Sequence, residues 1–343
     1  MFHLTRYTIV FSPRSVVGAE ALGRAFGSSN CLQVLRFNRN DGIGNDGIIA
    51  FCTASTKTDA IPFVALRVLD VGQCKIGSDG ITALVDLLLH RTNSNANKND
   101  QSVPSLHLLL NSNPLQPTSA SSLRSLLECQ PTVSLLHKLE LRNCELGNDG
   151  IKTLFHNMNK SGLAVLDLAD NGFTTDGAVA LAECLTRSLP DLQELIVRGN
   201  ACQTDGAAAI ANALQDHPLQ SLDMSQTSCC RNGANALLQT AGKLQKLRLF
   251  DNKLGDATEP FVIESRIVLQ ELDLGGNNIR AADMIRLLEG VGAVPKDAFA
   301  LRVLEIGGNE ANEQVEAAIR AVQSKFPELD VARDKPVRSA TQG

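Results

Sequence analysis

Leu163-Ala-Val-Leu166-Asp-Leu168-Ala-Asp-Asn171, then Gly-Phe-Thr-Thr175-Asp176-Gly177, then Ala-Val-Ala-Leu181-Ala-Glu-Cys-Leu185 is the stretch that decides the fold. Leu166 and Leu168 alternate with other residues, so they read as a short strand with both leucines on its core side. Asn171 has two donors and an acceptor to offer the backbone of the turn that follows. Thr175 and Asp176 are residue types that cap helix starts, and the apolar residues after Gly177 recur at helical spacing. The unit is therefore strand, turn, helix. Leu269-Gln-Glu-Leu272-Asp-Leu274-Gly-Gly-Asn277 opens a second clear copy.

Working outward, the positions equivalent to Asn171 are Asn40, Cys74, Asn113, Cys144, Asn200, Thr227, Asn252, Asn277 and Asn309. The steps from Asn171 to Asn200 and from Asn252 to Asn277 are 29 and 25 residues, which bracket the base period. Leu4, Tyr7, Ile9 and Ser12 followed by Gly18 make a degenerate first copy, so about eleven are expected. The triplets Asn45-Asp46-Gly47, Ser78-Asp79-Gly80 and Asn148-Asp149-Gly150 mark further helix starts. A period of this length means a solenoid, in which each unit buries its apolar face against its neighbours. Residues 1–332 are read as one array. Thr53 to Pro62 inserts early, and 91–105, with Asn93, Asn95, Asn97 and Asn99, is expected to be a mobile polar loop. Residues 333–343 read as a disordered tail. No polar cap precedes the first copy, so Phe2, Tyr7 and Phe11, a partner or a preceding segment is expected to cover that end.

The Leu-x-x-Leu-x-Leu-x-x-Asn pattern with a helix-bearing follow-on resembles the leucine-rich repeat, in its ribonuclease-inhibitor-like class. The resemblance implies an α/β fold: a right-handed horseshoe solenoid with a concave parallel sheet and convex helices. It says little about function, because such arrays serve mainly as recognition surfaces. The class includes receptor repeat domains, so the sensor region of a larger regulatory receptor is one implied role. It also includes Ran GTPase-activating proteins, which engage the GTPase through strand-to-helix loops on the rim, one of them carrying a functional Arg. Arg14 and Arg39 occupy comparable loops here, whereas the acidic C-terminal segment of many such proteins has no counterpart in a tail holding Arg333, Lys335 and Arg338.

Composition narrows the rest. A net charge of -5 with no basic stripe argues against nucleic acid as partner. No apolar run approaches the roughly 20 residues needed to span a bilayer. Nine cysteines without a C-x-x-C spacing read as reduced thiols, not a zinc site or a disulfide framework. No phosphate loop, zinc-protease helix or nucleophile elbow occurs, so neither catalytic residues nor a cofactor nor a metal are expected. The expected protein is a cytoplasmic monomer, with the nucleus a second compartment.

The non-leucine strand positions should line the concave face. The central column is Arg36, Asp70, Leu109, Glu140, Asp167, Ile196, Asp223, Arg248, Asp273 and Glu305, six of them acidic. Carboxylates stacked across parallel strands repel mildly, which suggests a purpose such as steering a basic partner surface. Phe250 is the one aromatic in the three face columns, and Arg198, Lys246 and Arg248 surround it. The candidate partner-binding residues are therefore Asp167, Arg198, Asp223, Lys246, Arg248, Phe250, Asp273 and Glu305. The function expected is protein–protein recognition on this face or on the rim, with GTPase activation as the alternative.

Overall fold

The computed structural model describes residues 6–8, 16–57, 62–93, 104–129, 135–240, 243–255, 259–261 and 268–333. The chain divides into two compact units. The amino-terminal one holds Met1–Gly172 with Arg187–Leu192, and the carboxy-terminal one holds Phe173–Thr186 with Gln193–Gly343.

In the amino-terminal unit β1 (Arg6–Thr8), α1 (Val16–Phe26), β2 (Val34–Arg36), α2 (Gly44–Ser55), β3 (Val68–Asp70), α3 (Ser78–Asn93), β4 (Leu106–Leu109), α4 (Ala120–Glu128), β5 (Leu136–Glu140), α5 (Gly147–Phe155) and β6 (Val165–Asp167) alternate. The strands pair in parallel and in chain order. In the carboxy-terminal unit α6 (Thr175–Ser188, its last two residues grouped with the other unit) leads into β7 (Glu194–Ile196), α7 (Gln203–Ala213), β8 (Ser221–Asp223), α8 (Cys230–Thr240), β9 (Lys246–Arg248), β10 (Glu271–Asp273), α9 (Ala281–Ala293), β11 (Val303–Glu305), α10 (Glu313–Lys325) and β12 (Asp330–Ala332). These strands are also parallel and sequential. Each unit is thus an α/β solenoid of strand–helix repeats. All eleven expected strand positions are filled, and β12 adds a twelfth strand beside β11.

The leucines make the core. Leu163, Leu166, Leu168, Leu195, Leu222, Leu247 and Leu274 are fully buried, as the alternation requires. Phe37, Phe51 and Phe63 fill the amino-terminal unit, with Phe51 edge-on to Phe37 at 5.0 Å and stacked on Phe63 at 5.5 Å.

The asparagines do more than close their own turns. Asn113 Oδ1 accepts from the backbone N–H groups of Cys74 and Ile76 in the preceding repeat, and its Nδ2 donates to Val71 and Leu110. Asn171, Asn252, Asn277 and Asn309 reach back in the same way. At about 1 kcal/mol net per bond, this ladder ties successive repeats together. Cys74 and Cys144 keep only the donor half. Their thiols point at the carbonyls of Phe37 and Leu110, and burial pushes both up to about 12.

Two sequence expectations need correction. The Asn/Ser-Asp-Gly triplets lie inside the first helical turn, with no side-chain cap on α2 or α5. Asn45 instead accepts from Gly77 and Gly80 at the start of α3, one repeat on. The glycines are there because helices pack closely: a Cβ on Gly80 would meet Ile48 and Ile76 at 2.7 Å. The stretch 91–105 is not all loop. Arg91 to Asn93 end α3, and Arg91 is buried with its guanidinium on the carbonyls of Leu66 and Pro104. Residues 94–103, like the tail from 334 to 343, lie outside the described residues.

Part of the connection between β9 and β10, residues 256–258 and 262–267, lies outside the described residues. Arg231 of α8, with no exposed side-chain surface, holds the connection. It donates to the carbonyls of Leu254 at 2.7 Å and Glu259 at 2.9 Å, pairs with Asp283 of α9 at 3.2 Å and lies 4.1 Å over the Phe261 ring. Asn235 adds a bond to the Pro260 carbonyl. A buried cation needs this many partners, because an unpaired one would be costly to bury.

Candidate interaction surface

Strand register sets the geometry of the open sheet face. Arg36, Asp70, Leu109, Glu140 and Asp167 are cross-strand neighbours in the amino-terminal unit. Ile196, Asp223, Arg248, Asp273 and Glu305 form the corresponding column in the carboxy-terminal unit. Asp167 therefore belongs to a different unit from the other seven candidate binding residues.

The acidic column is not an array of exposed charges. Asp223 and Asp273 are 7% and 4% exposed. Each aspartate carboxylate folds back onto the N–H two residues ahead: Asp70 onto Gly72 at 3.1 Å, Asp167 onto Ala169 at 2.8 Å, Asp223 onto Ser225 at 3.0 Å and Asp273 onto Gly275 at 2.9 Å. The residue two ahead is small every time, because the carboxylate lies against it; a Cβ on Gly275 would sit 3.2 Å from Asp273 Oδ1. Burial pushes the Asp70 carboxyl above its ordinary range, while the Gly72 N–H and nearby Arg36 pull the other way. Asp223 and Asp273 are thus bound into the sheet by these hydrogen bonds and expose little charge. Glu305 stays half-buried on β11.

What the face presents instead is a compact patch on β9 and β10. Lys246 and Arg248 converge on one carboxylate, Glu271, at 2.8 and 3.7 Å. Phe250 is half-exposed, and its ring rests on the backbone of Gly275 and Gly276. A Cβ on Gly276 would come within 2.9 Å of the ring, and its φ of 67° also favours glycine. Arg198 lies in the same column, two strands from Phe250, with Ser225 between them. Glu271 and the glycine pair were not picked out from sequence, although Gly275-Gly276 two residues past Asp273 was the available signal.

On the rim, Arg39 is exposed in the β2–α2 loop, held at a φ of 63° with its N–H on the Gly72 carbonyl. Lys75 and Asp41 pair beside it at 3.1 Å. Arg14 lies outside the described residues. Among the described residues no group of three or more His, Cys, Asp or Glu could hold a metal ion, and no helix is long and apolar enough to cross a membrane. None of the nine cysteines is in a disulfide.

Residues 28–52, 66–85, 134–155, 163–182 and 267–288 match the family model described as Leucine Rich repeat. The chain carries leucine-rich repeats. RAN GTPase-activating protein 2 of Arabidopsis thaliana is 32% identical over 93 residues, which are 26% of this chain and 17% of that protein. The shared stretch is therefore a small part of that relative.

Proposed function

We propose that this leucine-rich repeat chain is a non-enzymatic scaffold that binds a protein partner on the open sheet face, centred on Lys246, Arg248, Phe250 and Glu271. The observation that carries the reading is the Phe250 ring, half-exposed yet seated on Gly275 and Gly276. A fixed aromatic loses little freedom on binding, which is what an interface anchor needs. Among the described residues, the accessible charges in these strand columns are Glu194, Glu271, Glu305 and Asp330 against Arg198, Lys246 and Arg248, so a partner with mixed rather than uniformly basic charge fits best. The test is surface plasmon resonance on the partner captured by the full chain. Phe250→Ala should raise the off-rate about tenfold or more with little change in on-rate. An unchanged off-rate would move the site elsewhere.

A second reading, activation of a Ran-type GTPase, is favoured by the similarity to RAN GTPase-activating protein 2 and by exposed Arg39 in a rim loop. Single-turnover GTP hydrolysis by a Ran-type GTPase, with and without the chain, decides it. Stimulation lost in Arg39→Ala would support this reading, and no stimulation by the unaltered chain would end it.

A further inference from the structure

The amino-terminal unit carries a different surface. Strands β4 and β5 fall out of step between Leu106, which pairs with Leu136, and His107, which pairs with Lys138. His137 is the extra residue, and a bulge of this kind re-aims a side chain. Here it stacks His137 on His107, with ring centroids 5.4 Å apart and planes 21° from parallel. The His107 backbone N–H donates to the Arg67 carbonyl at 2.8 Å, and Arg67 stands next to Val68, the cross-strand neighbour of His107. Arg67, Arg36 and His137 are exposed, and neither arginine has an ion-pair partner among the described residues.

The neighbouring carboxylates are already engaged. Glu140 accepts from Lys138 at 2.7 Å and from Asn111 at 2.6 Å. Asp70 and Asp167 are turned onto the N–H groups of Gly72 and Ala169, and Asp170 pairs with Arg142 at 3.1 Å. The exposed groups left over are cationic or able to become so.

We propose that Arg67, His107, His137 and Lys138 form a docking surface for an acidic segment of a protein partner, one that binds more tightly as the pH falls through the histidine range. The charged groups that act on His107 beside His137 are Lys138 and Glu140 on β5; Asp70 and Asp167 stand on the flanking strands with their carboxylates turned onto backbone N–H groups. Burial, His137 and Lys138 hold the His107 pKa below its ordinary value, and Glu140 opposes them. A carboxylate arriving from a partner adds to Glu140 and favours the imidazolium. Binding therefore takes up protons, and linkage requires it to strengthen as pH falls. This surface belongs to the amino-terminal unit and the Phe250 patch to the carboxy-terminal one, so its failure would leave that reading intact.

The test uses the full chain and a hexaglutamate peptide, with calorimetry at about pH 7.5 and about pH 5.5. Hexalysine and a short single-stranded DNA serve as comparison ligands. Hexaglutamate should bind roughly three- to tenfold more tightly at the lower pH, hexalysine should not bind, and DNA should bind more weakly than the peptide. In His107→Gln/His137→Gln the pH difference should vanish while the circular dichroism spectrum stays unaltered. Arg67→Ala should weaken binding at both pH values, and Phe250→Ala should change nothing. No hexaglutamate binding, a pH difference retained in the double variant, or tighter binding of DNA would each overturn the proposal.

Discussion

Asp223 and Arg248 are cross-strand neighbours in one column of the sheet, and the molecule uses them in opposite ways. The Asp223 carboxylate turns back onto the Ser225 N–H and is buried. Arg248 stays half-exposed, paired at 3.7 Å with Glu271. Two residues along each strand the contrast repeats, with buried Ser225 on one and the half-exposed ring of Phe250 on the other. Side-chain length decides much of this. Aspartate has the reach to satisfy an N–H two residues ahead in its own strand. Glu140, one methylene longer, pairs with Lys138 and Asn111 instead. A column rich in acids is therefore not an acidic surface. Its buried aspartates hold the sheet, and the longer side chains around them, Arg248 and Glu271 among them, are the ones a partner can reach.

The comparison can be broken at several levels. The largest effect belongs to the leucine beneath the row. Leu247→Asp would bury a charge without a partner and should cost about 4 kcal/mol or more in a urea titration. Asp223→Ala and Asp273→Ala come next, at about 1–3 kcal/mol each, because a buried N–H loses its acceptor. Losses near zero would return these residues to the solvated surface.

Asp70→Asn sharpens the same point through pH. Burial raises the Asp70 carboxyl, so folding favours its neutral form. The charged form then costs stability above the folded-state pKa, and the cost disappears below the unfolded one. Asparagine keeps an acceptor for the Gly72 N–H without the charge. The variant should be more stable at neutral pH by under about 1 kcal/mol after screening, and the gain should fade as pH drops into the ordinary carboxylate range. A loss of stability at neutral pH would mean that the carboxylate charge itself is needed. The smallest effect on stability is that of Phe250→Ala, about 1 kcal/mol or less for a half-exposed ring on a surface.

The strands, their register and the core leucines were legible because period-two alternation is local and each copy repeats it. The asparagine positions were legible too, but not their reach into the preceding repeat, which needs two copies side by side. Side-chain direction in a strand says that Asp273 leaves the core side; it does not say that a short carboxylate folds back over Gly275. The small residue two positions on, in Gly72, Ala169, Ser225 and Gly275 alike, was the missed sign. Arg231 could not be found that way, because its partners lie 23 to 52 residues along the chain. The Phe250 patch was legible as an aromatic among cations, but the ring's seat on Gly275-Gly276 depends on the neighbouring strand.

The most direct measurement is amide hydrogen exchange by NMR at Gly275 and Ser225, in the unaltered chain and in Asp273→Ala, Asp223→Ala and Phe250→Ala. Both amides should exchange slowly in the unaltered chain. Asp273→Ala should speed Gly275 alone and Asp223→Ala should speed Ser225 alone, each by about tenfold or more, while Phe250→Ala leaves both slow. Exchange at Gly275 and Ser225 that ignores the aspartate substitutions would contradict the claim that the acidic column is bound into the sheet.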